Sequence, residues 1–262
     1  MPTQYDAIVI GTGQSGPALA DRFDDEGLKT AVIERHLFGG TCVNVGCIPT
    51  KTLVASARAA HVARRASEFG VDIGGPVRVD MARVKARKDA IVGQSNAGVT
   101  GWMESLDHAT LYRGHGRFTG PNQVSVNGEL LEADKIFINV GGRTLVPTIA
   151  GLDQVDYLTS STMMDVDFLP EHLIIVGGSY IGLEFGQMYR RFGAQVTVIE
   201  RGPLLLSRED EDVSLTIQEI LEKEGIDIRA NAQVERVEKV GDEVVVHLQG
   251  QDGPTQVAGS HL

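Results

Sequence analysis

The feature that most constrains this fold is one pattern that occurs twice, 166 residues apart. In each copy an apolar run enters a glycine-rich loop, a helix-like run follows, and a second apolar run ends in Glu-Arg. The first copy has the loop Gly11-Thr12-Gly13-Gln14-Ser15-Gly16 and reaches its acid at Glu34. Strand, glycine-rich loop, helix and acid in this order are the fingerprint of a dinucleotide-binding βαβ unit. The chain is therefore predicted to contain two such units, each binding phosphates at a helix N-terminus.

The second copy aligns with the first without a gap. The matching positions are Gly11 and Gly177, Gly16 and Gly182, Gly27 and Gly193, and Glu34 and Glu200. One position differs, because Ser179 stands where the first copy has Gly13. A side chain there leaves less room for backbone beside a pyrophosphate. We therefore expect a looser second site for a dinucleotide that exchanges, and a resident dinucleotide in the first.

Between the copies, apolar residues from Val77 to Leu106 recur at helical spacing and predict a long amphipathic helix. Lys88 and Ser95 interrupt its apolar stripe, and Trp102 is expected to pack in the core. Short β-rich runs with glycine and asparagine turns from Ala109 to Val140 predict an antiparallel meander.

The remaining patterns predict one more helix and three strands. These are a helix from Arg208 to Glu224 and strands at Ile226 to Arg229, Val234 to Glu238 and Glu243 to Leu248.

Charge and hydropathy narrow the choice of partners. The net charge is −11 and the pI is about 5.1, so no basic surface is expected that would bind nucleic acid or an anionic membrane. The basic run Arg83 to Lys88 is interpreted as one solvated helix face. No apolar run reaches the length of a membrane span or resembles a signal peptide, which predicts a cytoplasmic protein.

The only two cysteines, Cys42 and Cys47, are five positions apart. In a regular helix this spacing does not bring two residues within the Cα separation of a disulfide, about 4.4–6.8 Å. A pair would therefore require distorted backbone, for which Gly46 gives freedom. On cysteine count alone, inert buried thiols are the more common alternative. Their position directly after a dinucleotide unit favours a redox role, because a flavin can supply electrons to a disulfide.

The stretch Gly39-Gly40-Thr41-Cys42-Val43-Asn44-Val45-Gly46-Cys47-Ile48-Pro49-Thr50-Lys51 closely resembles the redox-active motif of the class I pyridine nucleotide-disulfide oxidoreductases. That family includes dihydrolipoamide dehydrogenase, glutathione reductase and mercuric reductase. The resemblance implies an α/β fold with two Rossmann-like domains arranged as in glutathione reductase. We expect the first segment of an FAD-binding domain over residues 1–149 and an incomplete NAD(P)-binding domain over residues 150–262.

The resemblance also implies which residues hold the cofactors, and it implies no metal ligands. For FAD they are Gly11, Gly13, Gly16, Glu34, Gly40, Thr41, Lys51, Gly114, His115 and Gly141. For the nicotinamide nucleotide they are Gly177, Ser179, Gly182, Glu200 and Val234.

Five catalytic residues follow from the resemblance. Cys47 is expected to receive electrons from the flavin, and Cys42 to exchange with substrate. Lys51 is expected at the reactive edge of the flavin, where Glu184 would hold it, and Tyr180 matches an aromatic gate. A pair of surface charges is the alternative for Lys51 and Glu184.

Glu200 bears on the choice of nucleotide. A carboxylate accepts a hydrogen bond from a 2′-hydroxyl and repels a 2′-phosphate, so NADH is favoured over NADPH. Arg201 and Arg208 weaken this expectation, since either could reach a phosphate.

The chain departs from the family pattern in two places. Asn139-Val140-Gly141 stands where many relatives have Ala-Thr-Gly. None of the seven histidines is followed five residues later by Glu, so the family's His-Glu acid and base is missing. Relatives also continue through a second FAD segment and a dimerisation domain, so we interpret this chain as an N-terminal portion whose full-length relatives form homodimers.

Three functions remain open on the sequence. The first is an FAD- and NAD(P)H-dependent enzyme that acts on a small-molecule, thiol or disulfide substrate or a metal ion. Within it, Ile48-Pro49-Thr50-Lys51 favours a mercuric-reductase-like protein, and Glu200 supports dihydrolipoamide dehydrogenase as the alternative. The second is a non-catalytic nucleotide-binding fragment that needs a complementing chain. The third is a flavin oxidase that bypasses the thiols.

Overall fold

Each glycine-rich loop lies between a strand and a helix, as the sequence predicts. The structure, a computed structural model, describes residues 1–250 and 253–262. It contains two units, one of residues 1–51 and 87–143 and the other of residues 52–86 and 144–262. The expected domain division after residue 149 stays a prediction.

The elements from the N-terminus to residue 138 include four helices and eight strands. In order they are β1 (Thr3–Gln4), β2 (Ala7–Ile10), α1 (Gly16–Asp25), β3 (Thr30–Glu34), α2 (Gly40–Asn44), α3 (Cys47–Arg64), α4 (Met81–Glu104), β4 (Ala109–Arg113), β5 (Arg117–Gly120), β6 (Gln123–Val126), β7 (Glu129–Glu132) and β8 (Lys135–Ile138). A 3₁₀ turn at Ala66–Phe69 follows α3.

The main sheet of the first unit has four parallel strands in the order β4-β3-β2-β8. All four residues of β2 are buried, as expected for a central parallel strand. Val9, Val32, Ala20 and Met103 form one core cluster of this unit. The predicted α/β class is confirmed.

The predicted meander from Ala109 to Val140 is wrong at both ends. Only β5, β6 and β7 pair in antiparallel fashion, and β1 adds to β7 in parallel. The flanking strands β4 and β8 instead pair in parallel with β3 and β2. Short apolar runs are compatible with an antiparallel meander and with parallel pairing to distant strands. The choice depends on long-range contacts, which the local sequence does not show.

The predicted long helix is confirmed as α4, but two expectations about its faces are wrong. Trp102 is 39% exposed, and its Nε1 donates to Asp21 Oδ1 at 2.7 Å, while the neighbouring Met103 is fully buried. Lys88 is only 4% exposed and pairs with Asp89, so it is not part of a solvated face. Lys88 lies seven residues after the buried Met81, which places both on the inner side of the helix.

Between residues 144 and 262, the described part of the second unit contains two helices and six further strands. In order they are β9 (His172–Val176), α5 (Tyr180–Phe192), β10 (Gln195–Ile199), α6 (Glu211–Lys223), β11 (Asp227–Arg229), β12 (Gln233–Val240), β13 (Glu243–Gly250) and β14 (Gly253–Gly259), with 3₁₀ turns at Leu152–Gln154 and Thr162–Asp165. Strands β11-β10-β9 form a parallel sheet, and β12-β13-β14 form an antiparallel one. The predicted helix and strands after Glu200 are therefore present.

The sequence repeat is a structural repeat. In the first copy Ile10 pairs with Ile33, and at the same offset Val176 pairs with Ile199. The first glycine of each loop has a positive φ, +99° at Gly11 and +109° at the equivalent Gly177. Each copy is therefore a strand, tight turn, helix and parallel strand.

Candidate functional site

A cavity of about 1000 Å³ lies within the first unit, at the carboxyl ends of its parallel strands. Ten of the sequence-predicted site residues line it, namely Gly11, Gly13, Glu34, Gly40, Thr41, Cys42, Cys47, Gly114, His115 and Gly141. This edge is where open parallel α/β sheets bind their ligands. Gly16 lies at the start of α1 and Lys51 in α3.

The three glycines of the first loop have different surroundings. A Cβ at Gly11 would lie 2.2 Å from Asn139 O, and one at Gly16 would lie 2.3 Å from Gly11 O. A Cβ at Gly13 would meet nothing closer than Asn139 Nδ2, at 3.5 Å. The protein's own packing therefore requires Gly11 and Gly16, whereas the space beside Gly13 is left open on the cavity side.

Each copy holds its acid with the same two backbone contacts. Glu34 Oε2 accepts from Thr12 N at 2.9 Å, and its Oε1 accepts from His36 N at 2.8 Å. Glu200 accepts in the same way from Gly178 N and Gly202 N, both at 2.8 Å. These contacts fix both carboxylates at strand ends beside the glycine-rich loops. Glu34 Oε2 also accepts from Thr12 Oγ1 at 2.8 Å, so the acceptor capacity left for a ligand hydroxyl lies on Glu34 Oε1 and on both oxygens of Glu200.

The other predicted residues of the second copy lie in or near its turn. Ser179 is the N-cap residue of α5, Tyr180 is its first residue and 67% exposed, and Glu184 lies one turn further. At Gly182 a Cβ would lie 2.4 Å from Gly177 O, which repeats the close approach of the first copy. Val234 lies in β12 and packs against a core cluster. The predicted pairing of Lys51 with Glu184 stays a prediction.

The backbone breaks between α2 and α3, where the sequence predicts a distortion. Val45 and Gly46 separate the two helices, so Cys42 and Cys47 do not share one regular helix. A Cβ at Gly46 would lie 2.8 Å from Thr41 O and 3.2 Å from Cys42 Cα. Gly46 thus allows a close approach, and its φ is not positive. This approach brings the two thiols together.

The two thiols interact. Both cysteines are free, Cys47 being exposed and Cys42 partly buried. A side-chain hydrogen bond with Cys42 is the main cause that raises the pKa of Cys47, and burial and the charge of Cys42 add to the rise. Its backbone surroundings and Lys51, one helical turn further along α3, act in the opposite direction. The reactive thiolate of Cys47 is therefore less populated than in an isolated cysteine.

We expect Cys42→Ala to move the alkylation of Cys47 to lower pH. The thiolate is the reactive form, and the substitution removes the contacts that hold the pKa of Cys47 up. Below the midpoint, Cys47 of the variant should react with iodoacetamide faster than Cys47 of the reduced parent, as measured by peptide mass spectrometry. Arg58→Ala, on an exposed part of α3, is the control and should keep the parent profile. An unchanged midpoint in Cys42→Ala would contradict this account.

Sequence reasoning gave no role to three asparagines of this unit. Asn139 follows β8, where its Oδ1 accepts from Ser15 Oγ at 3.0 Å and its Nδ2 donates weakly to Gly11 O at 3.4 Å. Asn44 and Asn96 bond to each other and to the backbone before α2. Parallel pairing of β8 with β2 places Asn139 beside the first glycine-rich loop. This position was not predicted, because β8 was assigned to an antiparallel meander.

The comparisons with known proteins agree with this arrangement. The model of the family described as "Pyridine nucleotide-disulphide oxidoreductase" matches residues 5–259. The chain belongs to this family. Members of the family use FAD and pyridine nucleotides.

Relatives with different names match nearly the whole chain. The chain is 39% identical to a mercuric reductase from Streptomyces lividans, over 99% of this chain and 56% of that protein. It is 34% identical to a dihydrolipoyl dehydrogenase from Acholeplasma laidlawii, over 91% of this chain and 72% of that protein. The solved HOCl-induced flavoprotein disulfide reductase RclA from Escherichia coli matches with a TM-score of 0.86 and 34% identity, over 98% of this chain and 55% of that one. The chain thus spans about half the length of most of these relatives.

Two further observations concern the described residues, 1–250 and 253–262. Among them no helix is both long and apolar enough to cross a membrane. Within the same ranges, no cluster of three or more His, Cys, Asp or Glu side chains is placed to hold a metal ion.

Proposed function

We propose that this pyridine nucleotide-disulphide oxidoreductase carries electrons from NAD(P)H through FAD to a Cys42–Cys47 disulfide, and from there to a thiol, disulfide or metal-ion acceptor. One observation carries the proposal: the glycine-rich loop and both cysteines line a single cavity of the first unit. A redox pair that shares a cavity with a dinucleotide site can exchange electrons with a cofactor bound there.

The cavity suits a flavin dinucleotide. The open space beside Gly13 is a cradle that a Cβ would partly fill, and the amide N–H groups at the start of α1 favour phosphate. The carboxylate of Glu34 is held at the cavity wall, where it can accept from ribose hydroxyls. Arg35 and Arg143 add positive charge to the lining, which favours an anionic ligand.

In the proposed reaction, FAD supplies the electron transfer, and the side chains of the protein position the reactants and exchange with the acceptor. FAD, when bound, accepts a hydride from reduced nicotinamide and supplies an electron pair for disulfide reduction. Cys47 would be the thiol nearer the flavin, and Cys42 would attack the acceptor as thiolate. Lys51 would place positive charge near the flavin, with Glu184 holding it and Tyr180 acting as a gate.

The second copy would bind NADH in preference to NADPH. Glu200 is fixed by Gly178 N and Gly202 N at the end of β10, where a 2′-phosphate would meet a carboxylate. Ser179 replaces the second glycine, so binding would be weaker than in the first copy. Gly177, Gly182 and Val234 would complete this site.

The two equivalent acids provide the test of this assignment. Glu34→Gln should weaken FAD binding about tenfold or more, because a charge-assisted hydrogen bond contributes about 1.5–3 kcal/mol, and should leave NADH affinity unchanged. Glu200→Gln should do the reverse. Titrations followed by flavin fluorescence and by NADH fluorescence measure both constants. If both variants lose the same ligand, or neither loses any, the assignment is wrong.

The terminal acceptor is proposed to be of the mercuric reductase type, with dihydrolipoamide as the alternative. Relatives with both names match the chain, at 39% and 36% identity, and the motif Ile48-Pro49-Thr50-Lys51 supports this order. Supplying Hg(II) and dihydrolipoamide to the same preparation, with cofactors present, compares the two directly. Cys42→Ser should abolish turnover with either acceptor, whereas a flavin oxidase would keep its NADH oxidation.

A nucleotide-binding role without catalysis is the second candidate. It would require only the two glycine-rich loops and the acids fixed beside them, without the thiols. It predicts that FAD and NADH bind while Cys42 and Cys47 stay unreduced when NADH is added.

A further inference from the structure

Two asparagine side chains fasten the short helix that carries Cys42. Asn96 Nδ2, on α4, donates to Phe38 O at 2.7 Å and to Asn44 Oδ1 at 3.0 Å. Asn44 Nδ2, at the end of α2, donates to the same Phe38 O at 2.9 Å and to Gly40 O at 2.8 Å. These four hydrogen bonds, which we call the amide bridge, join α2, the segment before it and α4.

The amide bridge supports the short helix α2. This helix has only five residues, begins after Gly39 at φ +89° and ends at the break around Gly46. A helix this short does not hold its own conformation in isolation. Phe38 is itself held in place, because its side chain is buried and the guanidinium carbon of Arg113 lies 4.6 Å from the centre of its ring.

We propose that Asn96, acting through Asn44, is a positioning residue that sets the reduction potential of the Cys42–Cys47 pair. The amide bridge restricts the motion of Cys42 relative to Cys47, so less conformational entropy is lost when the sulfurs bond. A restricted dithiol has a higher effective concentration and forms a more stable disulfide. This inference rests on the proposed redox role of the two thiols.

The reaction that reports on the bridge is exchange with glutathione. The S–S bond of glutathione disulfide breaks and a Cys42–Cys47 bond forms. The protein loses two electrons and two protons, and two glutathione thiols gain them. Because the chain has only two cysteines, counting alkylated thiols measures the oxidised fraction directly.

Asn96→Ala and Asn96→Leu should both make the pair easier to reduce. We expect the equilibrium constant for disulfide formation to fall about fivefold in each, which raises the potential by about 20 mV because tenfold corresponds to 29.6 mV. Asn96→Leu preserves side-chain volume without donors, so it separates the hydrogen bonds from packing. Gln94→Ala, at an exposed position of the same helix, is the control and should keep the parent potential.

The outcomes separate this inference from the function on which it rests. A parent that forms no intramolecular disulfide in any glutathione buffer would refute both. A parent disulfide with unshifted potentials in both variants would refute the inference alone. A shift in Asn96→Ala without one in Asn96→Leu would assign the effect to packing and would also overturn it. Circular dichroism of each variant checks that the potentials are compared between folded proteins.

Discussion

Gly11→Ala should destabilise the protein by about 3 kcal/mol or more, the range of substitutions that force a backbone clash or strained φ and ψ. Gly11 has φ +99°, where an L side chain is strained, and its Cβ would lie 2.2 Å from Asn139 O. Because the obstacle is a backbone oxygen directly after strand β8, either the glycine-rich loop or the end of β8 would have to move. Urea unfolding followed by circular dichroism measures the loss.

The second copy supplies the control for this substitution. Gly177 has φ +109°, but among the described residues no atom lies within 4 Å of the position that a Cβ would take, so Gly177→Ala carries the φ strain alone. That variant should lose about 1–2 kcal/mol. Gly13→Ala should leave stability near the parent value and weaken FAD binding. Equal losses in Gly11→Ala and Gly177→Ala would show that the contact with Asn139 does not matter.

Gly46→Val should reduce disulfide formation between Cys42 and Cys47 by about 100-fold, the lower end of the change when two linked groups can no longer meet. A Cβ at this position would lie 2.8 Å from Thr41 O and 3.2 Å from Cys42 Cα, both backbone atoms. The branched side chain would therefore push α2 away from α3. Since a disulfide tolerates a Cα separation of only about 4.4–6.8 Å, a small displacement suffices.

The glutathione equilibrium described above measures this change, with Gly75→Val as the matched control. Gly75 has open space around it and a negative φ, so the same substitution there should leave the equilibrium unchanged. A parent-like equilibrium in Gly46→Val would mean that the close approach at Gly46 does not bring the thiols together.

Both βαβ units could be predicted from the glycine pattern, because the local backbone geometry at these positions requires glycine. Gly11 and Gly177 need positive φ, and Gly16 and Gly182 need close backbone contact, so the residue type itself carries the information. The repeat at a constant offset added independent support.

Features that depend on long-range pairing were not predictable in the same way. Strand β4 pairs in parallel with β3, and strand β8 pairs in parallel with β2, which separates both from the meander. Lys88 is buried because of the way in which α4 packs in the folded protein. Asn96 becomes relevant only because α4 passes beside Phe38, which lies 58 positions earlier. No spacing rule connects residues so far apart in the chain.

In the proposed mechanism, the cavity of the first unit binds a flavin that exchanges electrons with Cys42 and Cys47. The most direct measurement is the visible spectrum of the protein saturated with FAD and freed of unbound flavin, recorded before and after anaerobic addition of NADH. We predict retained flavin absorbance that bleaches with NADH, with a long-wavelength thiolate-to-flavin band that is present in Cys42→Ser and absent from Cys47→Ser. A protein that retains no FAD, or one whose spectrum is the same in both variants, would contradict the claim.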